Sequence, residues 1–127
     1  MENQKYLSEL HKEHIEWRNQ LNFVKDEIKT YKNRLSDVVS KNSKTEVLAL
    51  AEHFQNQFIR HDEVIDTLLH DINEEEHKIV LMAKDNNVAT DHRKADENEK
   101  LVDRMQIFDK IYKGLKNEYL EYLTKVM

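Results

Sequence analysis

The amino-acid sequence predicts an all-α protein in which three long antiparallel helices form an up-down-up, coiled-coil-like bundle. The 127 residues include no proline and one glycine, and 35% of them are charged, a composition typical of long helices. Apolar residues recur at alternating spacings of three and four over three long stretches. Two short runs rich in Asn, Ser, Thr and Asp separate those stretches, so the sequence divides into three helices.

The first predicted helix covers residues 3–40. Its seam of core-facing positions is unbroken and comprises Leu7, Leu10, His14, Trp17, Leu21, Val24, Ile28, Tyr31, Leu35 and Val38. Such a seam is expected of a helix that packs lengthwise against another helix. We therefore expect these side chains, including that of Trp17, to lie in the core.

The second predicted helix covers residues 44–85, after a break near Asn42. Ser43 and Glu46 have the spacing of a capping box, in which each side chain accepts a hydrogen bond from a backbone N–H of the first turn. The seam comprises Ala51, Phe54, Phe58, His61, Ile65, Leu68, Ile72, Glu75, Ile79 and Met82, and Leu50, Val64, Leu69 and Val80 widen it to roughly 160° of arc. An arc this wide predicts contacts with both other helices.

The third predicted helix covers residues 90–126, after a break near Asn87. Asn87 or Thr90 is the expected N-cap, because both side chains can accept a hydrogen bond from the first turn. The seam comprises Leu101, Met105, Phe108, Tyr112, Leu115, Tyr119, Tyr122 and Val126. Gly114 lies inside this stretch, at a cost of up to ~1 kcal/mol relative to alanine.

The length predicts a single helical-bundle domain over residues 1–127. Helices of ~36 to 40 residues would each be ~55 to 60 Å long. Because two short connections leave consecutive helices antiparallel, the expected shape is a rod.

Composition and motifs disfavour several classes of function. The formal net charge is −5 with both signs interspersed, whereas nucleic-acid binding needs a clustered basic surface. The sequence has neither an apolar signal core nor a spanning segment, so we expect a cytoplasmic protein with no membrane partner. It has no cysteine, no Gly-rich phosphate loop and no nucleophile elbow, which argues against an enzyme and gives no catalytic residue.

Some polar residues have the helical phase of the core. His61 is expected level with Tyr112, so a hydrogen bond between the imidazole and the phenol would satisfy both groups when they are buried. Glu75 is expected close to Lys94 and Arg104, so an ion pair that fixes the register of the helices is its simplest role.

The alternative role for Glu75 is metal binding. His14, Glu75 and Glu97, one from each helix, are expected within about three turns of one another. Two carboxylates that face one buried place are costly unless a positive charge lies between them, and this set of ligands suits a divalent cation. Lys94 or Arg104 would supply that charge more simply, so the sequence favours no cofactor, and the metal-binding bundle is the alternative hypothesis.

The favoured function is that of a non-enzymatic protein-interaction or structural bundle. Apolar residues lie outside the seams, and they are Ile15, Phe23, Ile59, Leu81, Ile107 and Leu120. A bundle with surplus apolar surface and no catalytic constellation is typical of a protein whose partner is protein. We expect a homodimer of copies that lie side by side and antiparallel, or else association with another helical protein.

Overall fold

The computed structural model describes the backbone of residues 2–85 and 88–127, and the side chains of residues 6–82, 84 and 97–127 within it. Three helices account for nearly all of this: α1 (Glu2–Lys41), α2 (Thr45–Asp85) and α3 (Val88–Val126). They pack as an antiparallel up-down-up bundle, and α2 contacts both of the other helices. The predicted all-α fold class is therefore confirmed.

The connection between α1 and α2 consists of residues 42–44. The Asn42 side-chain amide donates to the carbonyl oxygen of Val38 at 2.8 Å, which satisfies one of the acceptors left open at the end of α1. The first helical bond of α2 runs from the Leu48 N–H to the Lys44 carbonyl at 3.1 Å. Lys44 thus occupies the N-cap, and the capping box predicted at Ser43 is wrong by one residue.

The second connection falls between Asp85 and Val88. Of the two N-caps predicted for α3, Thr90 is wrong because the helix begins at Val88. The other, Asn87, lies outside the described residues.

The main core runs along the bundle from the residue 42–44 end. Each helix contributes residues from its predicted seam, because three-four spacing keeps those side chains on one face. Leu21, Ile28, Leu35, Phe58, Ile65 and Ile72 are completely buried. Near the residue 42–44 end, Tyr119 lies among aromatic rings, with centroid distances of 4.7 Å to Tyr31 and 5.1 Å to Phe58.

A smaller apolar cluster lies toward the other end of α1 and α2. It contains Leu7, Leu10, Ile79 and Met82. Between this cluster and the main core, α1 presents the buried His14 and α2 presents two adjacent glutamates, Glu75 and Glu76. The interior is therefore interrupted by a polar layer, and that layer contains the residues singled out from the sequence.

Candidate functional site

His14 is the most deeply buried polar side chain described, with 1% of its surface exposed. Its position in the α1 seam directs it between the other two helices. Nδ1 lies 2.7 Å from Oε2 of Glu76 on α2, and Nε2 lies 3.2 Å from Oδ1 of Asn98 on α3. One imidazole thus links all three helices through side-chain hydrogen bonds.

The neighbouring groups determine the direction of these bonds. Asn98 Nδ2 donates to Oε1 of Glu13 at 2.9 Å, and a carboxylate can only accept, so the Asn98 oxygen faces His14. The Glu76 carboxylate is also an acceptor. Both ring nitrogens of His14 therefore face acceptors, and the doubly protonated imidazolium is the form that satisfies both bonds.

Glu76 is the acceptor shared by two histidines. Besides His14 Nδ1, the other carboxylate oxygen contacts His11 Nδ1, also on α1. Burial alone would raise the pKa of Glu76, but hydrogen bonds and positive charge from His14 and His11 outweigh burial and hold this pKa below its ordinary value of 4.5. The carboxylate is therefore ionised at neutral pH and stabilises the layer in that form.

The lowered pKa of Glu76 predicts a stability difference that depends on pH. The ionised Glu76 carboxylate contributes fully to the free energy of unfolding above about pH 4.5, where the carboxyl of the unfolded chain is also ionised. This contribution is lost as pH falls through the lower folded-state pKa. We expect the free energy of unfolding of Glu76→Gln to be about 1 to 2 kcal/mol lower than that of the parent at pH 7. This gap between parent and variant should narrow below pH 4.5.

Urea unfolding at pH 7, 5, 4 and 3 measures this gap directly. Glu52→Gln, at an exposed position on the same helix away from the groove between α2 and α3, is the matched control and should follow the parent at every pH. Since all other carboxyl groups are common to parent and variant, they cancel from the difference. A gap that stays constant between pH 7 and pH 3 would show that the bonds to Glu76 do not depend on its charge.

The structure does not bring the three predicted metal ligands together. His14 bonds to Glu76 and Asn98, whereas Glu75 contacts Lys78 at 3.4 Å and lines, with Glu97, a groove between α2 and α3. Among the described side chains, no group of three or more His, Asp or Glu residues is arranged to hold a metal ion.

Of the two partners predicted for Glu75, only Arg104 can be placed. Arg104 bonds to Asp71 at 2.8 Å, and the side chain of Lys94 lies outside the described residues. Glu75 forms an ion pair with Lys78 of its own helix. The pKa of Lys78 is raised chiefly by the charge of Glu75, which is consistent with this pairing.

His61 and Tyr112 are both buried, as the seams predict, but the predicted hydrogen bond between them is wrong. The His61 Nδ1–H donates to the Gln57 carbonyl at 2.8 Å, and the two rings are in contact with centroids 5.9 Å apart. The Tyr112 hydroxyl donates to Glu27 at 2.5 Å, and Lys116 donates to the same carboxylate at 3.0 Å. Burial, and then the bond to Glu27, strongly raise the pKa of Tyr112.

Polar side chains bridge the helices on both sides of α1. Lys25 pairs with Asp66 across the α1–α2 side. Glu27, with Tyr112 and Lys116, bridges the α1–α3 side. Polar pairs of this kind cover the apolar seams from solvent on both sides of α1.

The α2–α3 side is also bridged, by Arg104 and Asp71, but a groove of about 600 Å³ opens beside this pair. Leu68 and Phe108 are buried at its floor. Its walls are apolar and exposed: Val64 on α2 has 46% of its surface exposed, and Ile107 and Ile111 on α3 have 59% and 55%. We call these five residues the α2–α3 face.

This face could be predicted in part from the sequence. Ile107 was expected outside the seam, and Val64 was expected to widen the seam of α2. Ile111 was missed, although its spacing of four from Ile107 is a signal that the two share one side of α3. The open groove itself depends on the separation of α2 and α3, which spacing does not give.

Taken together, the fold and these sites define a three-helix bundle with a polar layer inside and an apolar face outside. Comparison with family models, with curated proteins and with solved structures finds no match. No helix, over its described residues, is long and apolar enough to cross a membrane.

Proposed function

We propose that this chain is a non-enzymatic protein-interaction or structural bundle that associates with a second copy of itself through the α2–α3 face. One observation carries the proposal. Val64, Ile107 and Ile111 are each about half exposed and lie together over an apolar groove, whereas lone exposed apolar residues would be scattered.

The polar groups beside the groove support binding and not chemistry. His61 Nδ1 is bonded to a backbone carbonyl, and Arg104 is paired with Asp71. The buried His14 is bonded through both ring nitrogens. Groups that are already bonded within the bundle are structural in character, whereas a catalytic base or nucleophile must be able to reach its substrate.

Light scattering tests the proposal. The parent should have twice the 15.3 kDa mass of one chain at micromolar concentration. The double variant Ile107→Ser with Ile111→Ser removes four isoleucines from a symmetric dimer, so its dissociation constant should rise about 100-fold or more. Scattering reports mass without mistaking an elongated monomer for a dimer.

Phe23→Ser is the matched control, because Phe23 is 65% exposed on α1, outside the α2–α3 face. It should leave the dissociation constant unchanged, and circular dichroism should show that each variant keeps its helix content. A monomeric parent at high concentration would overturn self-association. A dimer weakened equally by Phe23→Ser and by the double variant would show that another face is used.

A further inference from the structure

We propose that the second copy lies antiparallel on the α2–α3 face, with α3 of one copy along α3 of the other and the contact centred near Ile111. This inference rests on the proposed self-association and adds its geometry. It names the helix that pairs, the direction in which it pairs and the charged residues that set that direction.

Helix α3 carries a second repeat. Beside the seam that faces the core, a set of exposed residues recurs at spacings of three, four, three and four: Arg104, Ile107, Ile111, Gly114 and Glu118. This is the spacing that one helix needs to lie lengthwise along another. The inner seam of α3 packs on the bundle, so the outer one is available to a partner.

Charged residues follow a definite order along the outer seam. Lys100 and Arg104 precede the isoleucines, and Glu118 and Glu121 follow them, all on the described part of α3. Arg104 and Glu118 stand seven residues to either side of Ile111, about 10 Å at the rise of an α-helix. An antiparallel copy therefore places Arg104 of each α3 beside Glu118 of the other.

A parallel copy would place like charges together at both ends, so the sequence of charges selects the direction. Arg104 already bonds to Asp71, but a guanidinium has five N–H donors and can bond to a second carboxylate. Lys110 lies between the isoleucines, so the dimer brings the Lys110 ammonium groups of the two copies near each other. Both are exposed and can separate into solvent at little cost.

Gly114 supports a close approach of the two helices. A Cβ added there would meet no atom within 4 Å, so nothing within the copy itself fills the space beside Ile111. In the antiparallel arrangement this space receives side chains of the other copy from the region of Ile107. The one glycine of the chain thus stands where a second helix needs room.

Charge reversal tests whether the charged ends of the two α3 helices meet, and cysteine cross-linking then tests their direction. We expect Lys100→Glu with Arg104→Glu to weaken the dimer at least about tenfold, because both ends of the contact then become acidic. Glu118→Lys with Glu121→Lys should do the same by making both ends basic. An equimolar mixture of the two variants should recover dimers, with one copy of each, at the parent's concentration.

Cysteine cross-linking gives an independent readout, because the chain has no cysteine of its own. Ile111→Cys should form a disulfide dimer with itself under mild oxidation, since the two Cα atoms lie near the symmetry axis. Arg104→Cys should not cross-link with itself, but should cross-link when mixed with Glu118→Cys. Phe23→Cys is the control that should remain uncross-linked.

The outcomes separate the two proposals. A parent that is monomeric overturns both self-association and its geometry. A dimer that is weakened by Ile107→Ser with Ile111→Ser, but in which Arg104→Cys cross-links with itself, has parallel copies and overturns only the geometry. A mixture of the two charge-reversed variants that recovers no dimer also overturns the geometry, because it shows that the charged ends of the two α3 helices do not meet.

Discussion

Replacing Tyr119 by alanine should lower the free energy of unfolding by about 3 to 5 kcal/mol, the range typical of removing a large buried aromatic side chain. Tyr119 is completely buried, and its ring contacts Tyr31, Phe54 and Phe58 from the other two helices. Alanine would leave a cavity at the point where all three helices meet, because rigid helices close over lost volume only in part. The melting temperature should fall by roughly 10 to 20 °C.

Two control variants separate the parts of this effect. Tyr119→Phe keeps the ring and removes only the hydroxyl, which donates to the Tyr31 carbonyl at 3.2 Å, so it should cost about 1 kcal/mol. Leu120→Ala changes the exposed neighbour and should cost less than about 1 kcal/mol. Urea unfolding at one fixed protein concentration measures all three, since dimerisation would link stability to concentration. A Tyr119→Ala variant no less stable than Leu120→Ala would show that the aromatic cluster is not packed.

The core of this bundle could be predicted from the sequence because one variable determines it. In a long helix the spacing of apolar residues fixes which face is buried, whatever the neighbouring helices are. Ile28, Ile65 and Phe108 were placed in the core on spacing alone, and all three are buried. Few glycines and no prolines kept that spacing in phase over about ten turns per helix.

The polar layer could be predicted only to within one residue. Glu75 and Glu76 lie on opposite flanks of the α2 seam, and spacing gives the distance of each from the seam without saying which neighbouring helix it faces. The handedness of the bundle decides that. Glu76 points toward His14 on α1, and Glu75 points toward α3, where it lines a groove with Glu97. On α3 the handedness likewise places Asn98, not Glu97, beside His14.

Hydrogen-bond partners were the least predictable feature. His61 was placed level with Tyr112 correctly enough for the rings to touch, but its N–H bonds to the carbonyl of Gln57, four residues earlier on its own helix. A local acceptor of this kind competes with any partner across the bundle. Tyr112 in turn reaches Glu27, a flanking residue of α1 that spacing assigns neither to the core nor to solvent.

Glu75 and Glu76 form a matched pair for experiment. Each side chain keeps 13% of its surface exposed, so replacing either by leucine removes one charge at the same depth. What each variant leaves behind is different. Glu76→Leu leaves the buried Nδ1 of His14 without its acceptor, whereas Lys78, which pairs with Glu75, is exposed and can be solvated.

We expect Glu76→Leu to lower the free energy of unfolding by about 2 to 4 kcal/mol, the cost of stranding one member of a buried polar pair. Glu75→Leu should change it by less than about 1 kcal/mol or raise it, because leucine extends the apolar seam of α2. Urea unfolding at pH 7 gives both values. Equal decreases in the free energy of unfolding of the two variants would show that the contacts of Glu75 stabilise the fold as much as those of Glu76.

The same two variants test the metal-binding alternative when melting is repeated with and without a chelator. A cation held by His14, Glu75 and Glu97 would add stability that chelator removes, and Glu75→Leu would abolish that sensitivity while Glu76→Leu retained it. We expect instead that chelator changes the melting temperature of neither the parent nor either variant. His14 bonds to Glu76, whereas Glu75 and Glu97 line a groove between α2 and α3 that is separate from the groove of the α2–α3 face. A parent that melts several degrees lower with chelator, and a Glu75→Leu variant that does not, would require Glu75 and His14 to turn toward a common ion.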